Sequence, residues 1–139
     1  MSQLARQVKA YFDERKLNYE TRTGENEETL IRAGFEMKNS EAVSIIMVFP
    51  KDEQACKLFA YEIIKFKAAR RNEEYKFCND VNVRYRWVKF YAEEQADSIT
   101  ATMDILLPSI DMCGEKVFAS CMNLLGIIDE ACGIHNNEV

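Results

Sequence analysis

The feature that most constrains this chain is the way its apolar residues switch period. Leu4, Val8, Tyr11 and Phe12 recur at helical spacing behind Ser2, a good N-cap, and predict a helix over residues 2–16. The period then drops to two. Residues 18–23 read as a short strand, closed by the turn signal Thr23-Gly24-Glu25-Asn26. From Thr29, an apolar set (Ile31, Ala33, Phe35, Met37) alternates with Arg32, Glu36 and Lys38, so one face is buried and one is wet. After a turn at Asn39-Ser40, residues 42–49 are apolar on both faces, which suggests a central strand.

The segment 50–54, from Pro50 to Gln54, turns the chain into a fourth strand over residues 56–64. A helix starting at Asp52 competes for this stretch, because Leu58, Tyr61 and Ile64 also fit helical spacing. Its aromatic and β-branched content favours the strand. Residues 67–85, rich in Ala, Arg, Glu and Lys, favour a helix with Phe77, Cys78, Val81 and Tyr85 inward. Residues 86–92 form one arm of a hairpin. After an acidic turn at 93–97, Ile99, Ala101, Met103, Ile105 and Leu107 mark one face of the other arm, and Thr100, Thr102 and Asp104 the other. Pro108 to Asp111 close the sheet, and a final helix is expected over residues 112–131 with Gly133 as its C-cap and a fraying tail at 134–139.

The order is therefore α-β-β-β-β-α-β-β-α, an α+β fold with a mainly antiparallel sheet and helices packed on it. At 139 residues the chain is read as one domain, with a compact part over about residues 3–133. The first residues lack the apolar core of a signal peptide, and no uninterrupted apolar run reaches the ~18 residues of a membrane span. A cytoplasmic protein away from membranes is expected.

Catalytic chemistry finds little to work with. The usual base for a Ser, Cys or Thr nucleophile is histidine, and the single one, His135, is expected in the tail. The five cysteines, at 56, 78, 113, 121 and 132, show no Cys-x-x-Cys spacing, so a zinc site is not expected. They read as reduced core thiols, with an intermolecular disulfide or a reactive thiol as the competing reading. Glu25, Glu27 and Glu28 read as a solvated loop rather than a metal site, and the glycines form no phosphate-cradling loop. No catalytic, cofactor or metal residues are assigned.

Two features point to a macromolecular partner. Residues 65–89 carry eight basic residues against three acidic ones, +5, which leaves −10 for the rest of a chain of net charge −5. Trp87, Phe90 and Tyr91 adjoin this stretch, and Lys67, Arg70 and Arg71 are its candidate contact residues. A solvated helix face followed by core aromatics is the competing reading. Asn79 and Asn82 share a helix face, where bonding to backbone groups outweighs ligand binding as the expected role. The last helix is apolar over more than one face, so Phe118, Met122 and Leu125 are candidates for a homodimer contact; burial between the sheet and the first helix is the alternative.

A family resemblance joins these readings. The run Phe77-Cys-Asn-Asp-Val-Asn82, then Tyr85-Arg-Trp-Val-Lys-Phe-Tyr91, an acidic turn, and Ile99–Leu107 with Asp104 resembles the YbjN-like family of bacterial sensory transduction regulators. In that family a helix ends in an Asn-x-x-Asn pair before an Arg-Trp-x-Lys-Phe strand; a second strand with an embedded Asp and a long apolar helix follow. The resemblance extends over residues 3–133, and it departs at the end, where Ala131-Cys-Gly-Ile134 stands in place of an Ala-Tyr-Pro-like segment. It implies a fold like that of type III secretion chaperones, small acidic dimers that hold other polypeptides. The expected function is a non-enzymatic protein-binding module, chaperone-like or a sensory transduction regulator. A small-molecule sensor or an uncharacterised enzyme is the alternative, and a nucleic-acid binder a more distant one, since a pI near 5.0 opposes a phosphate-binding footprint.

Overall fold

The computed structural model describes residues 2–39, 41–52 and 54–138. Ser40, Glu53 and Val139, which belong to two expected turns and the expected tail, lie outside the described residues.

The chain opens with α1 (Gln3–Glu14), capped as anticipated: the Ser2 hydroxyl accepts from the Ala5 N–H at 3.1 Å. Lys16, in the left-handed region at φ 57°, ends it. Four strands follow, β1 (Glu20–Thr23), β2 (Thr29–Phe35), β3 (Val43–Phe49) and β4 (Ala55–Lys65). The contested segment is thus a strand. Next come α2 (Arg71–Arg84), β5 (Val88–Glu93), β6 (Ser98–Leu106) and α3 (Cys113–Glu138). The six strands form one antiparallel sheet in the order β1-β2-β3-β4-β6-β5. This is the α+β fold and element order that the apolar pattern predicts.

Strand alternation sorts the side chains onto two faces. One row, buried except for the half-buried Met103, crosses the sheet through Ile31, Met47, Leu58, Met103 and Val88, which stand opposite one another in register. The helices cover this face. Of them, α3 lies over β4 and β6, α1 packs beside α3, and α2 packs against β5. Phe12, Phe49 and Phe90 are fully enclosed there with Leu124 and Ile128. Each such side chain contributes about 1.5–3 kcal/mol by leaving water.

The close fit of α1 on α3 depends on Gly114, where a Cβ would stand 2.6 Å from the Tyr11 Cβ. Phe118 fills the seam between these helices, 5.7 Å from the Tyr11 ring and 6.1 Å from that of Phe12. Most of α3's apolar surface is therefore covered within the chain, by the sheet on one side and α1 on the other, with Met122 left exposed. By length and composition α3 could cross a membrane. Here Val117, Cys121, Leu124, Ile128 and Ala131 are buried in the core.

Two expectations at the helix ends need correction. Residues 68–70 form a 3-10 turn, so α2 starts four residues later than its composition suggests. At the other end α3 does not stop at Gly133 but runs on to Glu138, and residues 134–138 are helical. No glycine has positive φ, so Gly133 does not make the left-handed cap. Contacts distant in sequence extend the helix: Asn39 packs 3.3 Å from the Cβ position of Gly133, and Asn136 Nδ2 donates to the Asn39 carbonyl at 3.0 Å.

Candidate binding face

The sheet face turned away from the helices has no element of the described chain upon it. One row across it runs Glu20, Arg32, Ile46, Phe59, Thr102 and Lys89; the next runs Arg22, Leu30, Val48, Lys57 and Asp104. Apart from Lys57 on the central strand β4, the charged residues of these rows lie towards the sheet edges and the apolar ones at the centre. Leu30, Ile46, Val48 and Phe59 are half-buried by their neighbours alone. Tyr61, 48% exposed, stacks on Phe59 with ring centres 5.3 Å apart, and Leu106 is 82% exposed. A groove of about 700 Å³ runs along this centre between Leu30, Val48, Phe59 and Leu106. A second hollow of about 450 Å³, bordered by Arg22, Arg32 and Ile46, meets it at Leu30, Ile46 and Tyr61.

A bulge in β4 shapes one end of the face. Pairing with β6 proceeds to Ala60 opposite Ala101 and resumes at Ile64 opposite Ile99, so Tyr61, Glu62 and Ile63 share Thr100 as their only counterpart. Glu62 takes a left-handed φ of 53° in this bulge. Such insertions bend a strand and re-aim its side chains.

The residues singled out from sequence fall elsewhere. Lys67 and Arg70 are exposed at the 3-10 turn, with no ion-pair partner among the described residues. Arg71 is engaged by Asp97, Nη2 to Oδ1 at 2.9 Å, and its Nε is buried without a partner among the described residues. Phe118 lies in the seam with α1, Leu125 is buried, and Met122 alone of that trio is exposed. Of the eight basic residues at 65–89, Lys65, Arg71, Lys76 and Arg84 pair with Glu62, Asp97, Asp80 and Glu130. Lys89 stands on the open face, and Trp87 is exposed just before β5.

Asn82 has a structural role. Its Oδ1 accepts from Phe90 N–H at 2.7 Å while its Nδ2 donates to the Phe90 carbonyl at 2.9 Å. The amide thus occupies the backbone positions a further strand would take at the β5 edge. His135, expected in a loose tail, joins α3 to α2: its Nε2 lies 2.9 and 2.8 Å from the two carboxylate oxygens of Glu74, itself only 2% exposed. Phe77 packs edge-on to the imidazole at 4.9 Å. One turn back, Asp129 accepts from the backbone N–H groups of Lys38 and Asn39, and Glu130 from the Tyr85 hydroxyl at 2.7 Å.

All five cysteines are buried thiols. Burial pushes Cys121 up to about 12, while burial followed by the Glu74 charge pushes Cys78 up to about 11. Among the described residues, no three His, Cys, Asp or Glu side chains converge as a metal cage would require.

The fold and this surface define an α+β scaffold in which one sheet carries three helices on one face and an apolar-centred groove on the other. The chain belongs to the YbjN family, described as "Putative bacterial sensory transduction regulator", whose pattern matches residues 5–117. It is also similar to a crystal structure of YbjN, described as a putative transcription regulator from E. coli. That likeness has a TM-score of 0.61 at 9% identity, over 94% of this chain and 93% of that one, and it speaks for the fold. No curated protein sequence matches the chain.

Proposed function

We propose that this chain is a non-enzymatic regulator of the bacterial cytosol that works by holding another polypeptide on the open face of its sheet, in line with the chaperone-like fold that the family resemblance implies. The observation that carries this reading is the apolar centre of that face. Ile46, Val48, Phe59 and Tyr61 sit side by side with Leu106, and no element of the described chain covers them. Contiguous apolar surface of this kind on a folded chain marks an interaction site, because each square ångström withdrawn from water returns about 25 cal/mol. Membership in a regulator family agrees with a role exercised through binding.

The test places a photocrosslinking phenylalanine analogue at position 59, and as a control at Asn79, which is exposed on α2. A discrete polypeptide adduct is expected from position 59 and not from position 79 when cells are irradiated. Irradiation that yields the same adducts from both positions, or none from position 59, would remove the reading.

A further inference from the structure

We infer that the occupant of the open face is a single amphipathic α-helix of a partner protein whose apolar stripe is flanked on both sides by carboxylates; this rests on the binding role proposed above.

Dimensions come first. The apolar strip spans β2, β3 and β4 at Leu30, Ile46, Val48 and Phe59. Three adjacent strands cover about 10 Å, close to the diameter of one helix. Along β4, the strip runs from Tyr61 to Ala55, which faces Leu106. That is about 20 Å of strand, the length of roughly 13 helical residues. A lone extended peptide laid on the face would fill half this width. It would also bury backbone groups where the sheet presents side chains rather than an edge.

Charge supplies the second argument. Arg22 on β1 flanks the strip on one side and Lys89 on β5 on the other, while Arg32 and Lys57 stand at its margins on β2 and β4. Two carboxylates share these flanks, and each is already matched: Glu20 lies 3.7 Å from Arg32, and Asp104 lies 3.8 Å from Lys57. That leaves Arg22 and Lys89 exposed on opposite flanks, without an ion-pair partner among the described residues. The remaining acids of the face stand at its ends. Glu28 borders the groove beside Leu30, Glu62 pairs with Lys65 at 3.9 Å, and Glu93 accepts from the Thr100 hydroxyl. In a chain of net charge −5, the long sides of the strip are positive. A ligand helix matches them when Glu or Asp borders its stripe, and like charges there would oppose binding.

The experiment uses the full chain and two fluorescein-labelled peptides of about 14 residues, each built as one helix with a leucine stripe. One peptide is flanked by Glu and the other by Lys, and binding is read by fluorescence anisotropy. The Glu-flanked peptide should bind about tenfold more tightly, since attraction at Arg22 and Lys89 for one peptide is set against repulsion there for the other. The double variant Arg22→Glu/Lys89→Glu should lose or reverse that preference, and Ile46→Glu should weaken both peptides, with circular dichroism confirming the fold. Arg22 and Lys89 are exposed, so the double variant decides the matter even where Ile46→Glu disturbs the sheet. Equal binding of the two peptides, preference for the Lys-flanked one, or binding of neither would overturn the inference. So would equal binding of a proline-interrupted version of the Glu-flanked peptide, which cannot form the helix. A polypeptide adduct at position 59 without preference for the acidic helix would leave the binding role standing and remove this occupant; absence of both would remove the two together.

Discussion

Single residues carry chemistry that their position in the sequence does not announce. The sulfur atoms are the clearest case. Cys56, buried beside Cys121, has its thiol pushed well above the ordinary range by burial first, and Cys121 reaches about 12. A thiol so placed reacts as neither nucleophile nor metal ligand. Native protein at about pH 8, near the ordinary thiol pKa, should give almost no fast reaction with Ellman's reagent. All five thiols should titrate once denaturant is added. Rapid native labelling of even one of them would contradict the burial described above.

Tyr85 offers a second test. Burial first, and then the hydrogen bond to Glu130, push its hydroxyl up to about 12. A raised folded-state pKa favours the protonated form, so the contribution is whole below the unfolded value of 10.0 and is lost as pH climbs through about 12. Tyr19, Tyr61, Tyr75 and Tyr91 shift in the same direction. Stability from urea melts should therefore fall as pH rises over this range. Tyr85→Phe should make that fall shallower, and an unchanged slope would rule out the contribution assigned to the Glu130 bond.

At the scale of elements, what could be read from sequence and what could not divide along the range of the contacts involved. The Ser2 cap is a local signal, and it holds. The β4 strand follows from a local pattern as well: Phe59, Tyr61 and Ile63 alternate, and aromatic and β-branched residues suit a pleated surface. The end of α3 lies beyond local reach. Gly133 resembles a cap, but what continues the helix is Glu74 on α2 and Asn39 between β2 and β3, residues far off in sequence. Removing residues 134–139 should consequently cost stability rather than trim a loose end. Losing His135 leaves the Glu74 carboxylate buried without its partner, a penalty of roughly 3 kcal/mol. Glu74→Gln in the shortened chain should restore part of it; urea melts measure both.

Asn82 shows the opposite balance. Sequence spacing marks it as a residue that bonds backbone, without telling which backbone, and the structure supplies Phe90. Asn82→Ala should cost about 1–3 kcal/mol, the penalty for leaving buried polar groups unsatisfied. It should also speed amide exchange at Phe90 more than at Ala101 in the neighbouring strand, and exchange by nuclear magnetic resonance would show it.

For the molecule as a whole, the open face was only partly visible beforehand. Residues 42–49, apolar on both sides, predict a central strand, and β3 is central. Its outward residues, Ser44, Ile46 and Val48, are only half-covered, because all three helices settle on the other side. Alternation tells that a strand has two apolar faces; it does not tell how many helices are available to cover them. The basic segment divides in a similar way. Its net charge of +5 looks like a patch in one dimension, but Lys65, Arg71 and Arg84 are paired with acids outside the segment and Lys76 with Asp80 within it. A mixed DNA and RNA pool should therefore show no retention at about 0.15 M salt, where exposed charges beyond about 8 Å are screened. Tight, strongly salt-dependent binding would restore the nucleic-acid reading.

The amide of Asn82 has a consequence for how many molecules can live together at high concentration. A sheet whose outer strands expose unpaired backbone N–H and C=O groups risks growing edge to edge, one sheet recruiting the next into a filament. At β5 the Asn82 side chain plugs the recruiting position, and at the opposite boundary β1 offers only the short, fully exposed run Glu20, Thr21, Arg22 and Thr23. Polymerisation is thus discouraged at both margins while the broad surface between them stays uncovered.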